Sequence, residues 1–236
     1  MQPYTSRFLC DQAQRTAPTR HFFYQQTNWT LAPICIDIGC GTGVISNELT
    51  HLVARSTVIG FDINPDLLAH AVNHYKQNEV LHFLLADATA LPFRTLIADF
   101  AFSHFTLMWI SNRKQALKET YAVLLTHGSL ACIEPDYAGR IEIFESNSGI
   151  QSKPPYPIVT VLTRLGADPY TGGHLSGELE TLNFDKIQFG IMSWTFDSES
   201  MQAEIVSEAA LLKRKGIDWI LPDFIYTPIF WILGTK

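Results

Sequence analysis

Ile34-Cys35-Ile36-Asp37-Ile38-Gly39-Cys40-Gly41-Thr42-Gly43 decides how this chain is read. A short β-branched run ends in a turn of three glycines, and Ile45, Leu49, Leu52 and Val53 then recur at helical spacing. The stretch reads as strand, glycine turn and helix. Glycines there permit positive φ and let the backbone come close to a ligand.

The same alternation repeats outward from it. Thr57 to Phe61 reads as a second strand with Asp62 at its carboxyl end, and Asn64-Pro65-Asp66 supplies an N-cap, a proline at the first helical position and an acidic first turn. Leu67, Leu68, Ala71 and Val72 form that helix's buried stripe. Val80 to Leu85 is a third strand, followed by Ala86-Asp87-Ala88, and Ala98 to Phe102 a fourth, followed by Ser103-His104-Phe105. Ser111-Asn112 opens a helix through Leu125, which His127-Gly128 ends, and Ser129 to Ile133 is a fifth strand leading into Glu134-Pro135-Asp136-Tyr137. Beyond it, Leu182 to Met192 and Phe224 to Leu233 each read as a further strand, with a helix between Glu199 and Lys213. Continuous apolar strands alternating with helices predict an α/β fold, a mostly parallel sheet covered by helices on both faces.

Composition narrows the function classes. The chain has 236 residues, 47% of them hydrophobic and 17% charged, enough for one sizeable core and against disorder. Its formal net charge is −6, and no basic run exceeds Lys213-Arg214-Lys215, which argues against nucleic acid and against anionic membrane surfaces as partners. Cys10, Cys35, Cys40 and Cys132 form no CxxC pair, and Met1 to Arg20 holds no apolar signal-peptide core. The expectation is a soluble, cytoplasmic protein with reduced thiols.

In an open α/β sheet the ligand lies beyond the carboxyl ends of the strands, where strand order reverses. Three acidic positions fall there. The turn is D-x-G-x-G-x-G from Asp37 to Gly43, and Asp62 follows Gly43 by nineteen residues, where a carboxylate can accept two ribose hydroxyls. Asp87, ending the third strand, can accept from an exocyclic amine such as that of adenine. Together they describe an adenosine pocket. The third glycine comes one residue too early for a G-x-G-x-x-G dinucleotide fingerprint, and no P-loop lysine follows.

Over residues 33–137 the sequence resembles the class I S-adenosylmethionine-dependent methyltransferases. The resemblance rests on Ile36 to Gly43, Gly60-Phe61-Asp62-Ile63-Asn64-Pro65, Ala86-Asp87-Ala88 with Leu91-Pro92-Phe93, Asp99 to Ser103, and Leu124 to Ser129. It implies a Rossmann-like sheet of seven strands with the last antiparallel, which Phe224 to Leu233 would supply beside the fifth. It implies S-adenosylmethionine as cofactor, with Gly39, Gly41 and Gly43 under the methionine part and Asp37 fixing the loop or the amino group. Asp62 would take the ribose hydroxyls, Ile63 would line the adenine, Asp87 and Ala88 would hold its edge, and Ser103 would lie by the methionyl end. His127-Gly128 departs from the family's usual Pro-Gly-Gly, a change expected to affect only a turn.

Methyl transfer needs an aligned nucleophile in a dry pocket, and a base where that nucleophile carries a proton. His104, Glu134, Asp136 and Tyr137 are the candidates for that base, His104 being the best placed or else a polar substrate contact, with Glu134 and Asp136 alternatively orienting an acceptor or capping the following loop. The layout expected is one domain, residues 1–236. Residues 1–30 would be a helical lid, 33–137 the cofactor-binding core, and 138–236 the substrate-side segments and final strands. Trp109 and Met108 read as an apolar wall or as core. His70 and His74, four apart on a helix, lack a third ligand, so no metal site is expected. Lys153-Pro154-Pro155-Tyr156 lies after the fifth strand and begins with Lys, unlike the amide methyltransferase motif, and Asn28-Trp29-Thr30 is a bare glycosylation triplet. A small-molecule acceptor is therefore expected. The rivals are a nicotinamide-dependent oxidoreductase on a similar sheet and a methyltransferase-like binding protein without turnover.

Overall fold

Strand β1 (Ile34–Ile38) is buried along nearly its whole length, as a strand covered on both faces must be. The sheet is built outward from it in a computed structural model, which describes residues 5–26, 33–52, 56–143, 156–192, 198–219 and 221–236. Asn28-Trp29-Thr30 and Lys153-Pro154-Pro155 lie outside the described residues.

Parallel strands β2 (Thr57–Asp62) and β4 (Ala98–His104) flank β1 on its two sides. β3 (Leu81–Leu85) extends the sheet beyond β2, and β5 (Leu124–Pro135) extends it beyond β4. β9 (Ile229–Thr235) pairs antiparallel with β5, and β7 (Asp185–Met192) pairs antiparallel with β9. The order is β3-β2-β1-β4-β5-β9-β7, with β9 alone running against the rest. The chain thus moves outward from β1 to β3 and returns to the other side of β1 at β4, which puts the reversal of strand order between β1 and β4.

Helices cover both faces. α2 (Ala17–Gln26) and α3 (Val44–Leu52) set Phe23 and Leu49 against Cys35, Val58, Phe100 and Phe102. On the opposite face α5 (Arg113–Val123) and α7 (Thr171–Thr181) set Leu117, Leu175 and Leu179 against Ile36, Ile38, Phe61 and Leu130. Neighbours along β1 thus serve different cores, as a period of two requires. α4 (Pro65–Tyr75) begins as its sequence dictates, with the Asn64 side chain accepting from the N–H of Asp66 at 2.9 Å and of Leu67 at 3.2 Å. Near the carboxyl end of β4, α6 (Pro157–Arg164) and α8 (Ser198–Arg214) share a third core with Met108 through Ile158, Leu162, Leu211 and Leu212.

Two segments differ from the sequence reading. α5 ends at Val123 and β5 begins at once, so His127-Gly128 interrupts a strand instead of ending a helix. Ala98 pairs with Leu124 but Phe100 pairs with Ser129, so residues 125–128 bulge out of the ladder, and His127 carries the required positive φ of 71°. The bulge is secured by Lys236, whose carbonyl accepts from the His127 N–H and whose N–H donates to the Gly128 carbonyl. The second difference is that Phe224 to Leu233 is two strands. β8 (Phe224–Tyr226) pairs with β6 (Ile141–Ile143) in a separate ribbon, and only β9 joins the main sheet. Pro228, which has no N–H to give a ladder, separates them.

Lys236 also closes the end of α5. Its Nζ donates to the carbonyls of Tyr121 at 2.7 Å and Leu124 at 2.9 Å and lies 4.7 Å from the centre of the Tyr121 ring. Lys236→Met is expected to lower stability by about 1 kcal/mol, the worth of a cation on a helix C-terminus with its hydrogen bonds. Denaturant unfolding measures it, and an unchanged midpoint would remove that role.

Candidate functional site

A cavity of about 530 Å³ opens where strand order reverses, within the size range of about 300–1,000 Å³ usual for small-ligand sites. Gly39, Cys40, Gly41 and Thr42 form its floor beyond β1. Asp62 and Ile63 enter from β2, Asp87 and Ala88 from beyond β3, and His104, Phe105, Thr106 and Trp109 from β4 onward. α1 (Ser6–Arg15) closes one side with Leu9, Gln12 and Ala13.

Two glycines of the loop, Gly39 and Gly43, sit where neighbours leave no room for a side chain. Gly39 has φ 68°, and a Cβ there would stand 2.2 Å from the Thr106 methyl. The N–H groups of Gly39 and Cys40 both donate to the Phe61 carbonyl, at 2.8 and 3.0 Å, which ties the loop to the end of β2. Gly43 has a different reason to be glycine. It is absent from the cavity wall, and a Cβ there would meet the Phe83 ring at 2.6 Å.

Asp62 is the central polar group. It is only 7% exposed, and one carboxylate oxygen accepts from the Asn64 N–H at 2.8 Å, the other from the Gly41 N–H at 2.9 Å. Burial raises its pKa, against the pull of these backbone bonds. Each oxygen keeps a further lone pair, the arrangement two vicinal hydroxyls can use. Asp87 accepts the Thr89 N–H and hydroxyl on one oxygen, both at 2.8 Å, while its other oxygen has no hydrogen-bond partner among the described residues. Ile63, 65% exposed, stands on the rim as an apolar surface beside it.

Asp37, Ser103, Glu134 and Asp136 also fall elsewhere than on the cavity wall, and Tyr137 lines a separate, smaller chamber. Asp37 lies beneath the loop, 2% exposed, where it accepts the Ser46 hydroxyl at 2.6 Å and so joins β1 to α3. Ser103 is fully buried inside β4 with its hydroxyl unpartnered among the described residues, while His104, the strand's last residue, lines the cavity. Glu134 is fully buried and accepts from the N–H groups of Thr106 at 2.8 Å, Leu107 at 2.7 Å and Met108 at 3.4 Å. Burial raises its pKa to about 7, against those three bonds. Glu134 is therefore an anchor for the turn after β4, where Phe105 holds φ 53°, and does not reach the cavity. Asp136 accepts from the N–H groups of Ala138 and Gly173, both at 2.8 Å, and caps a turn.

His104 lines the cavity with its ring stacked on Phe105, centroids 4.0 Å apart. Burial first, and the charge of Arg20 second, hold its pKa well below 6.5, so the imidazole is neutral near pH 7. Thr106 bears no motif, yet its hydroxyl donates to the Gly39 carbonyl at 3.2 Å and welds β4's turn to the glycine loop. No spacing rule joins positions so far apart in the chain. Gln12 was likewise unmarked, since α1 reaches the site only through tertiary packing.

Burial raises Asp37 from 3.8 to about 7 in the folded chain. Between these values the folded protein holds a proton that the unfolded one has lost, so this group's contribution to stability falls as pH rises. Melting temperatures taken from about pH 5 to about pH 7.5 are expected to decline less steeply in Asp37→Asn than in the parent. Identical slopes would disprove the buried, protonatable state.

The chain is similar to methyltransferases in sequence and in fold. Residues 36–132 match the model of the methyltransferase domain family. Malonyl-[acyl-carrier protein] O-methyltransferase of Hahella chejuensis is 28% identical over 97 residues, 41% of this chain and 34% of that protein. Trans-aconitate 2-methyltransferase of Rhodopseudomonas palustris is 29% identical over 131 residues, 55% of this chain and 49% of its own length. The chain thus spans between a third and a half of these relatives. Among solved structures, Haemonchus contortus phosphoethanolamine N-methyltransferase 2 in complex with S-adenosyl-L-methionine superimposes with TM-score 0.69 at 12% identity, over 99% of this chain and 57% of that one. That likeness is one of fold.

Proposed function

We propose that this chain, whose residues 36–132 match the methyltransferase domain model, is a class I S-adenosylmethionine-dependent methyltransferase that moves a methyl group from S-adenosylmethionine to a small-molecule acceptor. The observation that carries the reading is the buried Asp62 carboxylate, pinned by the Gly41 N–H and presented to a cavity at the reversal of strand order.

The residues present fit the donor. Asp62 accepts the ribose hydroxyl pair, Asp87 accepts the adenine amine on its free oxygen, and Ile63 and Ala88 cover the base. The glycine loop passes under the amino-acid end, since a Cβ at Gly39 would displace Thr106 and with it the turn that walls the site. When bound, S-adenosylmethionine supplies a methyl group on a positively charged sulfur that leaves as a neutral thioether. The protein's task is to orient the acceptor in line with that bond and keep water away, effects worth up to about 7–11 kcal/mol when orientation is complete. Leu9, Gln12 and Ala13 of α1 shield the site, the role expected of an N-terminal lid. His104, neutral at pH 7, adds no positive charge beside a cationic donor and offers a nitrogen that accepts a hydrogen bond or a proton from the acceptor.

Calorimetry with S-adenosylhomocysteine tests the donor site. Asp62→Ala is expected to weaken binding at least tenfold, or about 1.4 kcal/mol. Binding of a nicotinamide nucleotide in its place, or unchanged affinity in the variant, would overturn the reading. His104→Ala is expected to reduce turnover, followed as S-adenosylhomocysteine release across an acceptor panel, far more than it reduces donor affinity. Equal losses in both would remove His104 from the acceptor side, and a parent protein that binds donor without turnover would be a binding protein.

A further inference from the structure

A second chamber, of about 60 Å³, shares Leu9, Gln12, Phe105 and Trp109 with the donor cavity. It lies on the side of β4 and β5, and the far wall includes Tyr137, Glu204 and Glu208. Its volume exceeds the roughly 10–15 Å³ needed for one water, so it admits a compact head group.

The charges around it do not cancel. Glu142, Glu204 and Glu208 are buried at 4%, 7% and 8% exposure, and two guanidiniums face them. Arg140 gives both Nη atoms to Glu208, at 3.0 and 2.6 Å, and its Nε to Glu142 at 2.9 Å. Arg15 gives one bond, 3.0 Å, to Oε2 of Glu204. Oε1 of Glu204 has no hydrogen-bond partner among the described residues. That oxygen is left with lone pairs facing no donor, which a cationic ligand can use as a counter-charge. The wall has an environment that attracts cations, since Arg140 lies 5.8 Å from the centre of the Tyr137 ring. Burial together with the charge of Glu208 raises Glu204 to about 7, as an incompletely matched carboxylate should be.

We propose that this chamber is the acceptor-recognition subsite and takes a cationic nitrogen group, an alkylammonium head, with Oε1 of Glu204 as its counter-charge. The proposal rests on the donor cavity being where S-adenosylmethionine binds. An acceptor presenting a carboxylate here would meet like charge, so Glu204 sets specificity for acceptors bearing an amine or ammonium.

Choline and its uncharged isostere 3,3-dimethylbutan-1-ol differ only in the charge of the head, which makes them direct probes. The full chain, saturated with S-adenosylhomocysteine, is titrated with each by calorimetry and by the fluorescence of Trp109 and the other tryptophans. Choline is expected to bind at least tenfold more tightly than the isostere, and Glu204→Gln to reduce that ratio to about twofold or less. Equal affinities, a preference for the isostere, no detectable choline binding, or discrimination retained in Glu204→Gln would each overturn the proposal. Should the variant not fold, as its own S-adenosylhomocysteine titration reports, the two ligands on the parent chain decide alone. Failure of the parent to bind S-adenosylhomocysteine would instead sink the donor-site reading, so the two failures are separable.

Discussion

The bond from the Gly41 N–H to Asp62, 2.9 Å long, ties the first two strands' loops into one surface. A loop of three positive-φ glycines has no packing of its own to hold it. Its shape comes from neighbours, with Asp62 taking one N–H and the Phe61 carbonyl taking two more. The same carboxylate is thereby fixed in direction, since Asn64 occupies its other oxygen. Loop and acceptor group are consequences of one set of backbone hydrogen bonds, and the cavity's floor exists only while both are in place.

Glu134 does for the other half of the site what Asp62 does for the first. Three successive N–H groups after β4 converge on it, and this pays for the positive φ at Phe105. The turn so held carries His104, Phe105, Thr106 and Trp109 into the cavity. Thr106 then bonds back to Gly39, so the two anchored loops brace each other. A carboxylate in such a place is structural even though it ends a strand in the region where catalysis is expected.

The N-terminal helices are fastened by a buried ion pair. Arg20, fully buried in α2, donates to both oxygens of Glu48 on α3, at 3.2 and 2.7 Å, and to the Ala13 carbonyl of α1 at 2.8 Å. Removing one partner of such a pair strands a charge in the interior. α1 and α2 are therefore packed onto the sheet face and are not loosely appended, and Leu9, Gln12 and Ala13 reach the cavity from a fixed base. Arg20 also lowers the pKa of His104, which links the attachment of the cover to the protonation state within.

By itself the sequence determined the sheet, the glycine loop and the strand-end positions of Asp62 and Asp87, because these follow from short-range periodicity and from spacing inside single strand–turn–helix units. It was misleading where one residue's offset or a distant partner decided the outcome. Glu134 and Asp136 end a strand as candidate site residues do, yet N–H groups from other segments claim them. Ser103, expected by the methionyl end, is buried inside β4 while the next residue, His104, reaches the cavity, since in a strand each step reverses the face. Lys236 turned the His127-Gly128 stop into a bulge from the far end of the chain. Only the tertiary structure could bring Arg15, Arg140, Glu204 and Glu208 around one small chamber, since charge balance in an interior is a property of neighbours in space and leaves no pattern along the chain.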